Sequence, residues 1–448
     1  MKIVYSHLLN LLEQQPKLEE LSELLFQLGH EHEIDGGVLD MEITPNRGDC
    51  LSLKGLARDL NYFYGTREMP FNKMDLEPLN LQFENKAKDF CPNISFLEIE
   101  VENIPTHYES YLESYFSDLN INKNNFFTDI SNYLAYETGQ PTHCFDSELM
   151  KGHFSLEKKK LKEKFNTLFH TEIELSGENL VFSLDKEVIS LAGTMGGAST
   201  ACSSATKRVL VECAYFKPQE ILGKARQYNL NSEAAYKFER GVDYLCQEKT
   251  LRRFLQIVDD HSVIKSVAFY SEQNKTDLNT VNFDSSKLNS VIGINLSEDE
   301  QLKYLASLGF KPGLEMKIPS HRSDIEQLND LAEEIARMIG YNNIPSQALA
   351  IPVVAKSHNK NFQDLFRPYL VNNGFFEVIN NPFTDFVGKD AISVDNPLDK
   401  QRSMMRTCLM NSLLKNIAYN QNRQKDSIKF FEYSDIYKTN NSHRRLAL

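Results

Sequence analysis

The chain has 448 residues, a length that suggests about three domains. Its composition of 41% apolar and 25% charged residues is ordinary for a globular protein, and no apolar run is long enough to span a membrane. The net charge of -13 argues against broad contact with nucleic acid, and seven scattered cysteines without a C-x-x-C pair favour reduced thiols over a disulfide framework or zinc site.

The beginning of the chain predicts a helix, a strand and a second helix. Apolar residues at helical spacing predict the first helix over residues 18–28. Residues 40–44 alternate as a strand does, and helical periodicity resumes over residues 50–64. Asp49 precedes this second helix and is its candidate N-cap. The first segment is therefore mixed in secondary structure.

The middle of the chain follows a linker-like stretch and reads as mixed α/β. The predicted linker covers residues 71–95. Strands are predicted over residues 96–101, 180–184 and 209–211, and helices over residues 220–228 and 244–258, the latter with Asp243 as N-cap. This alternation predicts sheets covered by helices.

A carboxylate within an apolar strand is the first candidate functional group. Glu212 lies in the run Val209-Leu210-Val211-Glu212-Cys213-Ala214-Tyr215-Phe216. Burying a carboxylate is costly unless it meets a donor. The residues alone leave two interpretations open, a functional acid or a structural ion pair.

Three further short motifs in the middle segment could carry functional residues, but each is weak evidence by itself. His143 follows the loop Gly139-Gln140-Pro141-Thr142, where a histidine is more often structural than catalytic. The glycine-rich turn 191–197 lacks the spacing of a P-loop or a dinucleotide fingerprint. The charged run 230–243 is also compatible with a solvated helix face. None of them identifies a reaction by itself.

An acidic helix near residue 330 is the strongest candidate for binding a cation. On a helix, Asp330, Glu333 and Glu334 share one face. The apolar residues Leu328, Leu331, Ile335 and Ile339 form the opposite stripe. With Asp324 just upstream, four carboxylates can converge, as Mg²⁺ prefers. From spacing alone a solvated acidic face is also possible, because acids complement the helix dipole.

The order of these strings matches a known family. The matching strings include Glu42-Ile43-Thr44-Pro45-Asn46-Arg47-Gly48-Asp49, the four strings of the middle segment, Gly340-Tyr341-Asn342-Asn343-Ile344-Pro345 after the acidic helix, and Met405-Arg406-Thr407 and Phe430-Phe431-Glu432-Tyr433 near the end. Together they resemble the β subunit of bacterial phenylalanyl-tRNA synthetase over nearly the whole chain. Their joint occurrence is far more specific than any one string.

The resemblance implies an α/β multidomain (α+β) fold of four modules. These are an N-terminal β-subunit module over residues 1–75, a mixed α/β editing domain over residues 76–282, a small helical, winged-helix-like B5 domain over residues 283–355, and a partial class-II-synthetase-like antiparallel sheet domain over residues 356–448. The OB-fold insertion that most bacterial members carry is absent. The last module and the anticodon-binding domain of the relatives extend further than this sequence, so it is either a fragment, which we expect, or an unusually reduced member. In the non-catalytic last module, Arg406 would have a structural or interface role.

The resemblance also implies two sites. An editing pocket would contain the catalytic-pocket residues His143, Glu212, Ser232 and Ala234 and the substrate-binding residues Asn132, Gly193 and Gly196. Most family members have Thr where this chain has Ser232. The Mg²⁺ ligands would be Asp324, Asp330, Glu333 and Glu334. Glu212 would read the phenol that distinguishes tyrosine from phenylalanine.

The function implied is that of the β subunit of an α₂β₂ phenylalanine-tRNA ligase in the cytoplasm. The α subunit would use ATP and Phe to charge tRNA(Phe), and this chain would hydrolyse mischarged Tyr-tRNA(Phe). No membrane partner is expected. Two alternatives stay open: a free-standing hydrolase of mischarged tRNA, and a non-enzymatic assembly scaffold. Retained His143 and Glu212 favour the editing subunit over the scaffold.

Overall fold

The computed structural model describes residues 1–346, 348, 362–439 and 441–448. The chain forms two compact units, Met1–Gln347 and Ala348–Leu448. The described part of the first unit contains a three-stranded sheet, two five-stranded sheets and a two-stranded sheet. The predicted boundary between residues 355 and 356 lies outside the described residues. The expected mixed α/β multidomain fold is confirmed.

The N-terminal segment forms a small antiparallel sheet flanked by helices. Its elements are β1 (Lys2–Val4), α1 (Tyr5–Leu9), α2 (Leu18–Gln27), β2 (Glu31–Asp35), β3 (Val38–Glu42) and α3 (Leu53–Tyr64), and the strand order is β1-β3-β2. The predicted helix, strand and helix are all present. The predicted cap is wrong, because Ser52 caps α3 by accepting a hydrogen bond from the Gly55 amide at 3.0 Å. Asp49 instead lies in a 3₁₀ turn and pairs with Arg47.

Two five-stranded sheets form the centre of the first unit. The strands are β4 (Glu77–Pro78), β5 (Phe83–Asn85), β6 (Asn93–Val101), β7 (His143–Asp146), β8 (Phe154–Asn166), β9 (Glu172–Leu184), β10 (Glu187–Leu191), β11 (Met195–Gly196), β12 (Arg208–Tyr215) and β13 (Ile264–Gln273). One sheet has the order β11-β10-β9-β8-β5, and the other has β4-β13-β6-β12-β7. The stretch predicted as a linker thus contributes one short strand to each sheet.

Six α-helices of the described chain accompany these sheets. They are α4 (Ser110–Asp118), α5 (Phe126–Thr138), α6 (Pro218–Ile221), α7 (Lys224–Gln227), α8 (Glu233–Phe238) and α9 (Gln247–His261). Two of them, α5 and α9, pack on the second sheet. The helix predicted over residues 220–228 is two short helices, because Gly223 between them adopts a φ of +74°. The long helix α9 begins later than predicted, because Asp243 accepts a hydrogen bond from the Leu245 amide and closes a turn.

The burial pattern of β12 explains how the core is organised. Val209, Val211 and Cys213 belong to the large core that includes side chains of α5 and α9. Leu210 and Ala214 face the opposite way, into an aromatic core that contains side chains of both five-stranded sheets. Since strand side chains alternate, Glu212 lies on this second face. The apolar strand therefore places one carboxyl group in the core between the two sheets.

The end of the first unit is a small helical segment. Its elements are β14 (Thr280–Val281), α10 (Ser285–Ile292), α11 (Glu298–Ser307), β15 (Met316–Lys317) and α12 (Leu328–Ile339). The predicted apolar stripe of α12 is confirmed, since Leu331 and Ile335 are fully buried. This stripe fixes which residues of α12 face away from the core.

The second unit contains a three-stranded sheet with two helices. Its described elements are α13 (Phe362–Asn372), β16 (Phe376–Glu377), β17 (Phe383–Thr384), β18 (Met404–Met405), α14 (Met410–Gln421), β19 (Phe430–Lys438) and β20 (Asn441–Ala447). The sheet order β16-β19-β20 combines one parallel and one antiparallel pairing. Buried Arg406 donates to Glu432 at 2.7 Å, which agrees with a structural role. No helix in the described ranges is long and apolar enough to cross a membrane.

Candidate active site and acidic helix

Glu212 and His143 are directly paired across two neighbouring strands. They are cross-strand partners of the antiparallel pair β12 and β7, so their side chains leave the same face of the sheet. Glu212 is 5% exposed, and its Oε1 has no hydrogen-bond partner. His143 is partly exposed as a residue, but its Nε2 is buried and also lacks a partner. Two cross-strand neighbours that each carry a buried polar atom without a partner suggest a place for a polar ligand.

Burial makes both groups neutral near neutral pH. It raises the pKa of Glu212 to about 8, because the carboxylate would have no solvent and no cation beside it. It lowers the pKa of His143 to about 4 for the same reason. A neutral carboxyl and a neutral imidazole can each donate or accept a hydrogen bond. The pair can therefore bind an uncharged hydroxyl group without adding a net charge to the core.

Gly196 allows this pair to sit against the glycine-rich turn. A Cβ at Gly196 would collide with the imidazole ring of His143. Gly193 has a φ of +64°, and a Cβ there would lie 2.8 Å from Cδ2 of Phe216. Both glycines are thus needed for close packing, and Gly196 does contact the predicted histidine.

The predicted Ser232 acts as a helix cap beside the same turn. Its Oγ accepts a hydrogen bond from the Ala235 amide at 3.1 Å and donates one to the carbonyl of Thr194 at 2.6 Å. It therefore joins the start of α8 to the glycine-rich turn. Ala234 is half-buried and packs against the aromatic core that contains the Glu212 face. The sequence analysis did not identify Thr194 as a site residue. Its position within the glycine-rich turn 191–197 is the one sequence feature that indicates it.

Asn132 is the predicted pocket residue that the structure places least favourably. It is exposed on α5. The neighbouring Ser131 instead donates to the carbonyl of Thr142 at 2.7 Å, directly before His143. Gln140 is a second residue missed by the sequence analysis, and its Nε2 donates to the carbonyl of Ala214 at 2.9 Å on β12. Ser131 and Gln140 hold the two strands of the pair in position.

A large cavity adjoins this region on the Ser232 side. Its volume is about 710 Å³, and its wall includes Ser232, Arg226, Tyr115, Tyr136 and Tyr236. Glu212 and His143 are not part of that wall. The cavity is large enough for a ligand bigger than an amino acid, and it reaches the first turn of α8 rather than the buried pair.

The four predicted metal ligands have three different environments. Glu334 is buried and accepts hydrogen bonds from the guanidinium groups of Arg322 and Arg337, with distances from 2.5 to 3.3 Å. Asp324 pairs with Arg322 at 2.9 Å. Asp330 accepts from two backbone amides before α12, those of Glu326 and Gln327.

The prediction that these carboxylates converge into one metal-binding group is not met in this chain. Glu333 is exposed. The side chains of Arg322 and Arg337 already neutralise Glu334, and two guanidinium groups beside it repel a divalent cation. Asp330 is occupied as a cap for the first turn of α12. The residues as arranged fit an ion-pair network better than Mg²⁺.

The ion-pair network extends from α12 to the N-terminal segment. Arg337 donates to Asp59 on α3 at 3.0 Å, and Asp59 also binds Arg47 and His30, each at 2.9 Å. In the described residues, His30, Cys50 and Asp59 are the group whose ligand atoms lie close enough to hold a metal. Two arginines on Asp59 and a thiol whose pKa is raised by burial make this group a poor cation site. The network joins segments that are about 280 residues apart in the chain.

Arg322→Met tests the strength of this network. We expect it to destabilise the chain by about 3 to 5 kcal/mol, because Glu334 would remain buried without one of its two cations. Urea unfolding measures the effect. The matched control is Arg208→Met, which breaks a half-exposed pair with Glu98 and should cost less than about 1 kcal/mol. Equal losses in both variants would contradict the assignment of a buried network.

Three protein families match successive parts of the chain. Residues 100–262 match the B3/4 domain family, residues 281–341 the tRNA synthetase B5 domain family, and residues 344–447 the phenylalanyl tRNA synthetase beta chain CLM domain family. The phenylalanine–tRNA ligase beta subunit of Photorhabdus laumondii is 31% identical over 89% of this chain and 53% of its own length. That of Francisella tularensis is 28% identical over 92% of this chain and 55% of its own length.

A solved structure is also similar in part. It is an N-terminal fragment of the phenylalanyl-tRNA synthetase beta subunit from Pyrococcus horikoshii. The sequence identity is 15%, the TM-score is 0.41, and the match covers 75% of this chain and 98% of that one.

These matches place the chain in the class of aminoacyl-tRNA synthetase components. Within that class, the chain belongs to the family of bacterial phenylalanyl-tRNA synthetase β subunits. It spans about half the length of the curated relatives that it matches.

Proposed function

We propose that this chain is the editing and scaffolding subunit of a phenylalanine-tRNA ligase. In this function it hydrolyses Tyr-tRNA(Phe), while an α subunit uses ATP and Phe to charge the tRNA. The observation that carries the proposal is the buried pair Glu212 and His143, whose Oε1 and Nε2 have no partners in the described chain. The family relationship supplies the substrate class.

The unpartnered atoms of this pair give a physical basis for selecting tyrosine. A phenol hydroxyl can donate one hydrogen bond and accept another, so it can satisfy both Glu212 and His143. A phenylalanine ring would leave both atoms buried and unpaired, at a cost of about 1 to 3 kcal/mol for each group. A site built around a hydroxyl thus rejects the analogue that lacks it. The neutral state of both groups keeps this recognition free of a charge penalty.

The residues around the pair would position the rest of the substrate. Gly193 and Gly196 stay predicted substrate contacts, and the lack of a side chain at each lets Phe216 and His143 pack against the turn. Ser232 fixes that turn through its bond to the Thr194 carbonyl, and Ala234 adds apolar contact beside it. The adjoining cavity, with its tyrosines and Arg226, is suited to the nucleotide end of the substrate. Asn132 stays a predicted substrate contact. Attack by water on an ester held in this way gains mainly from orientation.

The proposal also covers the division of the chain into modules and its assembly with an α subunit. The proposed boundaries are residues 1–75, 76–282, 283–355 and 356–448. The last module would pack on the α subunit in an α₂β₂ assembly with a large interface. A cytoplasmic location is proposed on the basis of the family.

Co-purification with the α subunit tests the proposed function against its alternatives. A stable complex that charges tRNA with Phe and clears Tyr supports the proposal. Hydrolysis of Tyr-tRNA(Phe) by this chain alone, with no α subunit bound, would favour a free-standing hydrolase. A complex that forms but never hydrolyses Tyr-tRNA(Phe) would favour a scaffold.

Mg²⁺ at Asp324, Asp330, Glu333 and Glu334 remains a prediction from the family. Because the arginines compensate Glu334 and Asp324 in this chain, the ion would have to compete with existing pairs. No step of the proposed hydrolysis involves it.

Asp330→Ala separates a capping role from a metal-binding role. We expect a loss of about 1 kcal/mol in the free energy of unfolding, because two amides before α12 lose their acceptor. The loss should be the same with MgCl₂ and with EDTA. Glu333→Ala is the control and should have little effect, since the side chain is exposed. A loss that appears only with MgCl₂ would establish a metal ligand instead.

A further inference from the structure

A second cavity lies apart from the Glu212–His143 pair. Its volume is about 210 Å³, and α3, α9 and residues 66–71 form most of its wall. The apolar part of the wall consists of Leu11, Ala57, Met69, Pro70 and Phe71. Neither Glu212 nor His143 lines it. It is therefore an independent candidate for ligand binding.

Four cations of the cavity wall have no salt bridge to a carboxylate among the described residues, and one of them, Arg67, is exposed and donates to the carbonyl of Glu13 at 3.5 Å. Lys54 and Arg58 lie one turn apart on α3, and Lys249 extends from α9. The Nε of Arg58 is buried and has no hydrogen-bond partner. The ammonium of Lys249 lies 5.2 Å from the ring centroid of Phe71. In an acidic chain, a group of cations without salt bridges around one cavity is an unexpected arrangement.

The other polar side chains of the wall do have partners within the protein. Asn61 donates to the carbonyl of Ser307 at 3.0 Å, and Thr66 donates to Asn61 at 2.9 Å. Thr138 donates to the carbonyl of Leu134 at 2.7 Å. Among the described wall residues, the buried side-chain polar atom without a partner is thus the cationic Nε of Arg58, which points to a negatively charged ligand rather than to general hydration.

The remaining cation of the wall is paired within the protein, and three acids lie in or near the cavity. Arg253 also lines the cavity, but it forms a two-point pair with buried Glu137, at 2.8 and 2.7 Å. Among acids, Glu68 belongs to the wall and is exposed. Asp49 and Asp243 line a smaller adjoining cavity together with Lys54 and Arg58. Asp49 is bound by Arg47, and the charge of Asp243 offsets only part of the effect that burial has on the pKa of Lys54.

The arrangement of Lys54 and Arg58 is unfavourable in the empty cavity. Like charges at positions i and i+4 of a helix repel each other. Burial lowers the pKa of Lys54, and the charge of Arg58 lowers it further. An anion between the two side chains would remove this repulsion and supply the missing acceptor for Arg58.

We propose that this cavity binds a small organic oxyanion, a phosphate or carboxylate group on a compact apolar body. The oxyanion lies between Lys54, Arg58 and Lys249, and the body contacts Met69, Pro70 and Phe71. The volume excludes a whole nucleotide or a folded partner and suits a single aromatic ring with its anionic group. This binding site is independent of the proposed hydrolysis.

Calorimetric titration of the full chain with phenyl phosphate tests the proposal. We expect saturable binding with one site, weakened by added salt, and no comparable binding of phenol. The variant with both Lys54→Gln and Arg58→Gln should bind at least about tenfold more weakly, because hydrogen bonds to a charged group are lost. Lys160→Gln, which removes an exposed lysine of β8 far from the cavity wall, is the matched control and should bind as the wild type does.

Thermal unfolding provides a second measurement, which does not require the affinity for phenyl phosphate to be known in advance. In anion-free buffer, Lys54→Gln should unfold at the same temperature as the wild type or higher, because a repulsion is removed. Phenyl phosphate should raise the unfolding temperature of the wild type and not that of the double variant. A lower unfolding temperature of Lys54→Gln in anion-free buffer, the absence of saturable binding, or equal binding by the double variant would overturn the proposal.

Discussion

Glu212→Ala should let Tyr-tRNA(Phe) accumulate in the ligase assembly while attachment of Phe stays unchanged. The carboxyl group is one of two buried groups that can bind the tyrosine hydroxyl. Its removal should lower the rate of Tyr-tRNA(Phe) hydrolysis by about 10- to 100-fold, which corresponds to the loss of a buried hydrogen bond with its partner left unpaired. Single-turnover hydrolysis of preformed Tyr-tRNA(Phe) measures this directly.

Two controls make this result specific. Glu148→Ala removes an exposed carboxyl group from the loop after β7 and should hydrolyse Tyr-tRNA(Phe) at the wild-type rate. Phe charging by the same preparations reports whether the assembly is intact. If Glu212→Ala hydrolyses Tyr-tRNA(Phe) as fast as the wild type, Glu212 does not read the substrate.

Glu212→Gln should stabilise the chain, and the gain should grow with pH. The pKa of Glu212 is raised from 4.5 in the unfolded chain to about 8 in the folded one. Between these values the folded chain holds a proton that the unfolded chain has released, so stability falls as pH rises through this window. At about 1.4 kcal/mol for each pKa unit, the wild type loses on the order of 5 kcal/mol of stability across this window, and the neutral glutamine variant does not.

Urea unfolding across this pH window measures the difference between the two proteins. His143 has the opposite dependence, since its lowered pKa makes stability rise with pH between about 4 and 6.5. Because both proteins retain His143, its contribution cancels in the comparison. The free energy of unfolding of Glu148→Gln should change with pH in the same way as that of the wild type. A constant difference between Glu212→Gln and the wild type would show that Glu212 is ionised in the folded chain.

Local periodicity predicted the elements that depend on a single apolar face. The stripe of α12 and the apolar run of β12 identified their elements because burial on one face decides both. Helix ends were harder to predict. Ser52 and Asp49 are both suitable caps by type, and the choice depends on where the 3₁₀ turn Gly48–Cys50 ends. The helix predicted over residues 220–228 is interrupted at Gly223, which has a left-handed backbone conformation. Hydrophobic periodicity gives no information about that conformation.

The candidate sites show what residue types alone leave undetermined. Glu212 and His143 are 69 positions apart in the sequence, and only the pairing of β12 with β7 brings them together, so the family resemblance was needed to link them. The acidic helix shows the opposite case. Its carboxylates were visible, but the arginine side chains that bind Glu334 come from positions 322 and 337, and their direction depends on tertiary packing. Asn132 has the expected identity but an exposed side chain.

Binding of tyrosinamide and phenylalaninamide to the wild-type chain tests the central claim most directly. Both ligands carry an amide group in place of the ester of aminoacyl-tRNA. They differ from each other only in the phenol hydroxyl that Glu212 and His143 are proposed to bind. We expect tyrosinamide to bind at least about tenfold more tightly, and Glu212→Ala to remove that preference. Equal affinities in the wild type, or a preference that survives in Glu212→Ala, would contradict a phenol-reading pair at this position.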